Sequence, residues 1–431
     1  MPTNIAFIGA GSAVFARTLL CDILSFEALR DSTHFRLMDI DADRLDLIHK
    51  LARRVIDQEG LKSRVSKTQN LNTALKNADF VVIMFQIGGL EAFRHDVMIP
   101  RKYGIDQTVG DTLGPGGVFR ALRSIPVYLD VCRRMQRLCP DALMLNYANP
   151  MAMNCWAINA AGVRNVGLCH SVQGTAGQLA GIIGVPFDEL TYWVAGINHM
   201  SWFLRLEHKG RDLYPVLRQR MEDPEIYRRE SVRFEIMKHF GYFVTESTHH
   251  MSEYCPYFRR RKGMTKSYIP KRWDYYDICA GKWRPHYKHL RRQVEGREPI
   301  HVRRSHEYGA SIINSVVSNQ PCRINGSVAN EGIIGNLPPG CVVEVPCLVD
   351  NTGVNPCRVG DLPPQLAALN RTNINVQECA VQAALNGDAE MVHRAVMLDP
   401  LTASLLELKD IRRMVDEMLK AEAQWLPQFK T

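Results

Sequence analysis

The chain is predicted to be an α/β protein: a doubly wound parallel sheet followed by a mixed α+β half. Three observations predict it. An apolar strand at the N-terminus runs into Gly9-Ala-Gly11 and then into a helical pattern. Apolar runs at 79–85, 142–146 and 166–168 read as parallel strands buried on both faces. Helical patterns alternate with these strands to about residue 170, and beyond that the pattern is mixed.

The elements follow in order. Residues 4–9 form the first strand, and Phe15, Leu19, Leu20 and Ile23 mark the helix behind the glycine turn. Gly9 suits the tight turn, and Gly11 suits close approach of a pyrophosphate to the helix start. Val14 replaces the third glycine of the fingerprint. Residues 35–39 form a second strand ending in Asp39, a carboxylate placed to accept from the ribose hydroxyls of NAD and to repel the 2′-phosphate of NADP. Asp41 caps a helix with Leu45, Ile48, Ala52, Val55 and Ile56 on one face. The strand at 79–85 leads into a loop at Gln86 where a nucleotide can lie. The glycine-rich loop at 110–118 carries Asp111 and precedes a helix with Leu122, Ile125, Leu129 and Cys132 in register. Strands are then expected at 142–146, 166–168 and 192–195. Residues 202–206 alternate like an exposed strand. Late in the chain come strands at 322–328 and 341–349 and helices at 365–386, 389–398 and 411–423.

Three polar clusters fall at strand ends, the usual place for a site in such a sheet. They are Asn146-Tyr-Ala-Asn-Pro-Met151, Gly167-Leu-Cys-His-Ser-Val172 and Gly196-Ile-Asn-His-Met200. They bring Asn149, Cys169, His170, Asn198 and His199 to one edge. Cys169 and His199 are ligand types that a transition metal accepts, although their spacing matches no finger-like motif. His249, His250 and Glu253 form no convincing metal set, because adjacent histidines of a helix cannot both face one ion. Glu246 and Tyr254 in the same stretch are better suited to proton transfer.

Composition narrows the class. With 431 residues, 46% hydrophobic and 23% charged, this is an ordinary globular chain with room for a sizeable core. The absence of a basic leader, of a spanning apolar run and of any C-x-x-C pair among twelve cysteines leads us to expect a cytoplasmic protein with reduced thiols and no membrane partner. The net charge of +8 is local: residues 257–304 hold fifteen Lys or Arg against four acids, and the rest of the chain is net acidic. Basic residues with interleaved Trp273, Tyr275, Tyr276 and Trp283 can bind nucleic acid. The preferred reading is a solvated insertion or subunit contact, with no nucleic-acid partner.

Taken in order, Gly9-Ala-Gly-Ser12, Met38-Asp-Ile-Asp41, Asp111-Thr-Leu-Gly-Pro-Gly-Gly117, Asn146-Tyr-Ala-Asn-Pro-Met151, Cys169-His-Ser-Val172 and Gly196-Ile-Asn-His199 resemble the family-four glycoside hydrolases. That family uses NAD and a divalent metal, usually manganese, and stands outside the two-carboxylate scheme of most glycosidases. The resemblance covers nearly the whole chain, and Cys169-His-Ser-Val and Asn198-His-Met look like its α-galactosidase branch. It implies a Rossmann-type sheet, as in malate and lactate dehydrogenases, over 1–195. An α+β domain for substrate, metal and oligomerisation follows over 196–431. It also implies hydrolysis of α-galactosides by oxidation at C3, deprotonation at C2, elimination and water addition. Cys169 and His199 match the metal ligands, and Asn149 and Asn198 match substrate-binding positions. Gly9, Gly11, Ser12 and Asp39 match the nucleotide site. Asp111 matches an acid that raises the basicity of the catalytic base, and His170 stands where some members place the general acid. Glu246, then Tyr254, are the candidates for the base. A homodimer or homotetramer is expected. The alternatives are α-glucosides or uronides as substrates, and more distantly a 2-hydroxy-acid dehydrogenase, which needs no Cys169/His199 pair.

Overall fold

Strand β1 (Thr3–Ile8) is buried on both sides, with Ile5 and Phe7 in one apolar cluster and Ala6 and Ile8 in another. Such a strand needs helices on both faces. In this computed structural model, which describes residues 2–261 and 263–429, they are present. α1 (Phe15–Leu24) and α2 (Ala42–Gln58) bring Leu19, Ile23, Leu45, Ile48 and Val55 to the first face. α3 (Gly89–Lys102) follows β4 (Phe80–Ile83), and α4 (Gly114–Leu138) brings Tyr128, Val131, Cys132 and Met135 to the second face. Asp41 caps α2 as its position predicts, accepting from the Arg44 N–H.

β2 (Thr33–Met38), β3 (Arg64–Thr68), β5 (Leu143–Asn146) and β6 (Asn165–Gly167) complete a parallel set in the order β3-β2-β1-β4-β5-β6. This is the doubly wound dinucleotide-binding order, and its switch point lies between β1 and β4. The sheet continues past it. β10 (Cys322–Ala329) joins β6 antiparallel at Ser327–Gly167, and the path runs on through β11 (Val342–Asp350), β7 (Leu190–Ile197), β8 (Met200–His208) and β9 (Arg211–Asp212). β12 (Gly353–Pro356) pairs with β11. All twelve strands among the described residues thus form one sheet, and β7 straddles residue 195.

The β7–β8 hairpin turns at Asn198-His199. Gly196 has φ +157, and a Cβ there would lie 2.5 Å from the Met200 carbonyl, so only glycine lets the two strands close so tightly. His199 has φ +64, a left-handed conformation at the tip of the turn.

The structure corrects several expectations. Residues 202–206 are not an exposed strand: Trp202, Phe203 and Leu206 are fully buried, and helix α8 (Pro364–Asn386) covers Trp202, with Asn370 accepting from its indole N–H at 2.9 Å. The glycine-rich stretch at 110–118 is loop only as far as Leu113, because α4 already begins at Gly114. Gly117 lies there because a Cβ would meet the Thr112 backbone at 2.4 Å. Strand β3 and helix α3 were not foreseen. Arg123 on α4 is wholly buried and binds Asp96 at 2.8 and 2.7 Å and also Glu422, joining α3 and α4 to the chain's end. Breaking such a buried set by removing one partner typically costs about 3–5 kcal/mol.

The basic segment 257–304 does not stand off the protein, although Lys262 within it lies outside the described residues. Its main helix (Tyr275–Val294) lies along α2 and α3. Tyr275 and Tyr276 pack on Phe93 with ring centroids at 6.0 and 5.6 Å. Arg17 donates to Gln293 at 3.1 Å, and Arg54 to the Val294 carbonyl at 3.2 Å.

Candidate active site

The three polar clusters converge as their strand-end positions require. β6 ends one residue before Leu168-Cys169, and the β7–β8 turn presents His199 beside it, so Cys169 Sγ lies 3.3 Å from His199 Nε2. The other ring nitrogen of His199, Nδ1, faces the Tyr254 hydroxyl at 3.3 Å. Tyr254 closes the short helix α6 (Thr248–Tyr254) and is buried. Its hydroxyl also lies 3.5 Å from His250 Nε2, and His250 Nδ1 lies 3.3 Å from the Glu246 carboxylate. Asn198 donates to Glu344 at 3.4 Å, and its Oδ1 is buried without a partner. Asn149 donates to Asp111 at 3.3 Å, and Arg120 reaches both, at 3.2 Å to the Asn149 carbonyl and 3.8 Å to the Asp111 carboxylate.

The electrostatics follow from burial and neighbours. Burial pushes the Asp111 carboxyl up, but Arg120, then His250, outweigh it and hold the group below its usual range. Glu246 behaves alike: burial raises it, His250 more than offsets this, and the carboxyl stays well below its normal range. Burial, then Glu344, raise the Cys169 thiol, so a thiolate there calls for a nearby cation. Burial also raises Glu344, which accepts from Ser201 at 2.8 Å.

These donors suit a divalent metal. Bonds of about 2.3 Å to sulfur and about 2.0–2.1 Å to imidazole nitrogen, at angles from about 90° to tetrahedral, put the two ligand atoms about 3.1–3.6 Å apart. Cys169 and His199 have that separation. Tyr254 on Nδ1 is the outer hydrogen bond that a ligating imidazole needs. The unpartnered Asn198 Oδ1 is a polar atom still to be satisfied nearby. No group of three or more His, Cys, Asp or Glu among the described residues is arranged to hold an ion, so its shell would be completed by other oxygens.

The remaining candidates lie around this group. His170 turns outward, two-thirds exposed, with Nδ1 3.5 Å from Glu307, at the edge of a 580 Å³ cavity lined also by Thr18, Gln173 and Phe187. Gly9, Gly11, Ser12 and Asp39 gather at the ends of β1 and β2. Asp39 accepts from the Gly11 N–H at 2.7 Å and from the Asp41 N–H at 2.9 Å, and Ser12 Oγ accepts from the Phe15 N–H at 3.3 Å. A Cβ on Gly11 would sit 2.8 Å from the Asp39 carboxylate, so the glycine permits this close approach as well. Gln86 is exposed after β4 and donates to the Gly89 carbonyl in its own loop.

Sequence reasoning missed His250, Arg120 and Glu344 as parts of the site. Glu344 did leave a signal, as a lone acid in the apolar run 342–349. His249, His250 and Glu253 point to different surroundings. His249 stacks on Trp273 at 4.2 Å, while Glu253 turns away to accept from the N–H groups of Thr108, Val109 and Gly110 at 2.6, 2.9 and 3.1 Å. That clamp fixes the loop leading into Asp111.

A doubly wound dinucleotide-type sheet with a thiol–imidazole pair at its carboxyl edge suits an enzyme that combines a dinucleotide with a metal ion. Residues 4–185 match the family described as Family 4 glycosyl hydrolase, and residues 194–402 match the Family 4 glycosyl hydrolase C-terminal domain. The chain belongs to that family and is an enzyme of it. It is 40% identical to an α-galactosidase of Bacillus subtilis over 99% of this chain and 100% of that protein. It is 37% identical to an α-galactosidase of Rhizobium meliloti over 99% of this chain and 89% of that protein. Among solved structures, a 6-phospho-α-glucosidase from gut microorganisms, in complex with NAD and Mn2+, shares the fold with a TM-score of 0.84 at 20% identity, each chain being covered completely.

Proposed function

We propose that this chain is an α-galactosidase that hydrolyses terminal, melibiose-type α-galactosides with NAD and a divalent metal, foremost manganese. The observation that carries the reading is the Cys169–His199 pair at 3.3 Å, in a chain so similar from end to end to α-galactosidases. Cys169 and His199 would hold the metal. The dinucleotide suits the β1–α1 turn, because the first turn of α1 carries neither an acid nor a capping side chain on Val14, which leaves backbone N–H groups for a pyrophosphate. When bound, NAD would supply hydride chemistry at C3, and the metal would supply Lewis-acid stabilisation of charge on the sugar oxygens.

Placement and proton transfer remain for the protein. The C2 proton, acidified once C3 is a ketone, needs a base. Glu246 and Tyr254 are the two groups for it, and His250 joins them into one relay, 3.3 Å from the first and 3.5 Å from the second. His170 is the acid for the departing oxygen. Its partner Glu307 raises its pKa to about 9, so it holds a proton at neutral pH, and the ring's exposure screens the pairing. Arg120 and Asp111 hold Asn149 towards the sugar, and Asn198 Oδ1 is free to accept from a hydroxyl. Residues 1–195 bind the nucleotide and also supply Cys169, Asp111 and Asn149 to the site, and 196–431 supply His199 and the remaining substrate and subunit contacts. The working form is a cytoplasmic homodimer or homotetramer. All twelve cysteines are free, and among the described residues no helix is long and apolar enough to cross a membrane.

The test is a panel of nitrophenyl α-galactoside, α-glucoside and α-uronides assayed with NAD, manganese and a thiol reductant. Fastest release from the α-galactoside is expected. Fastest release from a uronide or glucoside would reassign the substrate, and net NADH production from a 2-hydroxy acid without metal would overturn the reading.

A second expected result concerns Asp39. Asp39→Ala should narrow the preference for NAD over NADP by about 1–3 kcal/mol, the scale of a hydrogen bond to a charged group. It should also weaken NAD binding, because the Gly11 turn loses its brace. Dissociation constants for the two dinucleotides give the answer, and an unchanged ratio would leave Asp39 as a brace alone.

A further inference from the structure

The basic, aromatic stretch 257–304 is not used by the function above, yet its principal helix has a definite place. Call the helix Tyr275–Val294 α7 (α5 being Ser171–Ile183). Its first end is tied beside the catalytic loop: the Tyr275 N–H donates to the Thr108 carbonyl at 2.7 Å, three residues before Asp111. Both Tyr275 and Cys279 feel the Asp111 carboxylate and the Arg120 guanidinium. Three turns further on, the Tyr287 hydroxyl donates to the carbonyl of Gly11, in the G-x-G turn. Tyr275, Cys279, Trp283 and Tyr287 recur every four residues, so they share one stripe of the helix. The helical rise puts the ends of that stripe about 18 Å apart. The stripe therefore runs from the catalytic end of the site to the ribose carboxylate Asp39.

One turn before Tyr287 the stripe carries its most exposed aromatic. Trp283 is 37% exposed, and the Arg44 guanidinium lies over both Trp283 and Tyr287, with its carbon 5.8 and 5.2 Å from the ring centres. Arg44 is also paired with Asp41 at 3.0 Å. Asp39 and Asp41 are the acids that bear on the Tyr287 hydroxyl. The helix holds five Lys or Arg against one Asp, a sign that suits a pyrophosphate.

We propose that α7 is the outer wall of the dinucleotide groove, and that Trp283 and Tyr287 retain NAD by closing its adenosine half. The proposal rests on the functional reading above and deepens it. In that reading the hydride returns to the sugar in every cycle, so a cofactor that stays bound through many turnovers serves the reaction. A wall across the groove slows its departure.

The test measures NAD release directly. Holoprotein is mixed with excess thio-NAD, the protein is separated from free nucleotide at intervals, and its bound NAD and thio-NAD are measured by mass spectrometry, for wild type, Tyr287→Phe and Trp283→Ala. Tyr287→Phe removes one hydroxyl from a helix tied down elsewhere, and should release NAD roughly three- to tenfold faster, the scale of one lost hydrogen bond. Trp283→Ala should release it faster still, with an unchanged circular dichroism spectrum and melting temperature. Release should quicken with salt as the basic wall is screened. If both variants exchange at the wild-type rate while wild type binds NAD and cleaves an α-galactoside, the wall is wrong and the functional reading stands. If wild type binds no NAD, both fall.

Discussion

Cys169→Ala and His199→Ala are each expected to abolish glycoside cleavage while the fold and NAD binding survive. The nucleotide turn at Gly9, Gly11 and Asp39 shares no hydrogen bond with the Cys169–His199 pair, so removing a ligand leaves it intact. The loss should be on the order of a thousandfold or more, because Lewis-acid stabilisation is worth several kcal/mol and each 1.36 kcal/mol is tenfold in rate. Chelator should silence the wild type and manganese should restore it. Because the thiol is half-buried and its thiolate oxidisable, activity should fall in air and recover with reductant. Full activity of Cys169→Ala in metal-free buffer would remove the pair from the mechanism.

The second large effect is isotopic. A glycosidase with two carboxylates and an oxocarbenium-like transition state never breaks the C2–H bond. Elimination through a C2 anion must break it. Cleavage of an α-galactoside in D2O should therefore yield galactose with deuterium at C2 and no accumulating NADH, as read by NMR and absorbance. Glu246→Gln and Tyr254→Phe divide the proton work. If only the tyrosine variant slows both cleavage and incorporation, the oxygen of Tyr254 takes the C2 proton as its own passes to His250, which Glu246 orients. If only the glutamine variant does, the order is reversed. Galactose with protium alone at C2 would end the redox-elimination route for this enzyme.

What the sequence made legible was local. The helix expected at 389–398 is found at Ala389–Leu398, where Asp388 caps it and Asp399-Pro400 follows it, signals that lie within a residue of the boundary. Asp41 was read for the same reason. Cys169 and His199 were legible because each follows its strand directly, so that strand-end position already implies the site. Partners made across the fold were hidden. Glu344 meets Asn198 and Ser201 from more than 140 residues away, and nothing near it in the chain says that β11 will lie beside β7. Arg123 sits in a periodic helical pattern whose spacing is silent about Glu422. Residues 202–206 alternate as a half-exposed strand does, and only the arrival of α8 over Trp202 turns the wet face dry.

The unbroken sheet has a consequence for how this enzyme can be taken apart. One sheet runs from β3 to β9, joined in its middle by the pairings Ser327–Gly167 and Glu344–Gly196, and its strands come from both halves of the chain. Cutting the gene near residue 195 would split β7 across its pairing with β8 and break the Ser327–Gly167 junction of β10 with β6, leaving strand edges with unpaired N–H and C=O groups that invite aggregation. The C-terminal half is therefore no portable module to be lifted onto another dinucleotide domain. Whatever variety of sugars this scaffold serves has to come from exchanging side chains at the strand ends, with the sheet passed on whole.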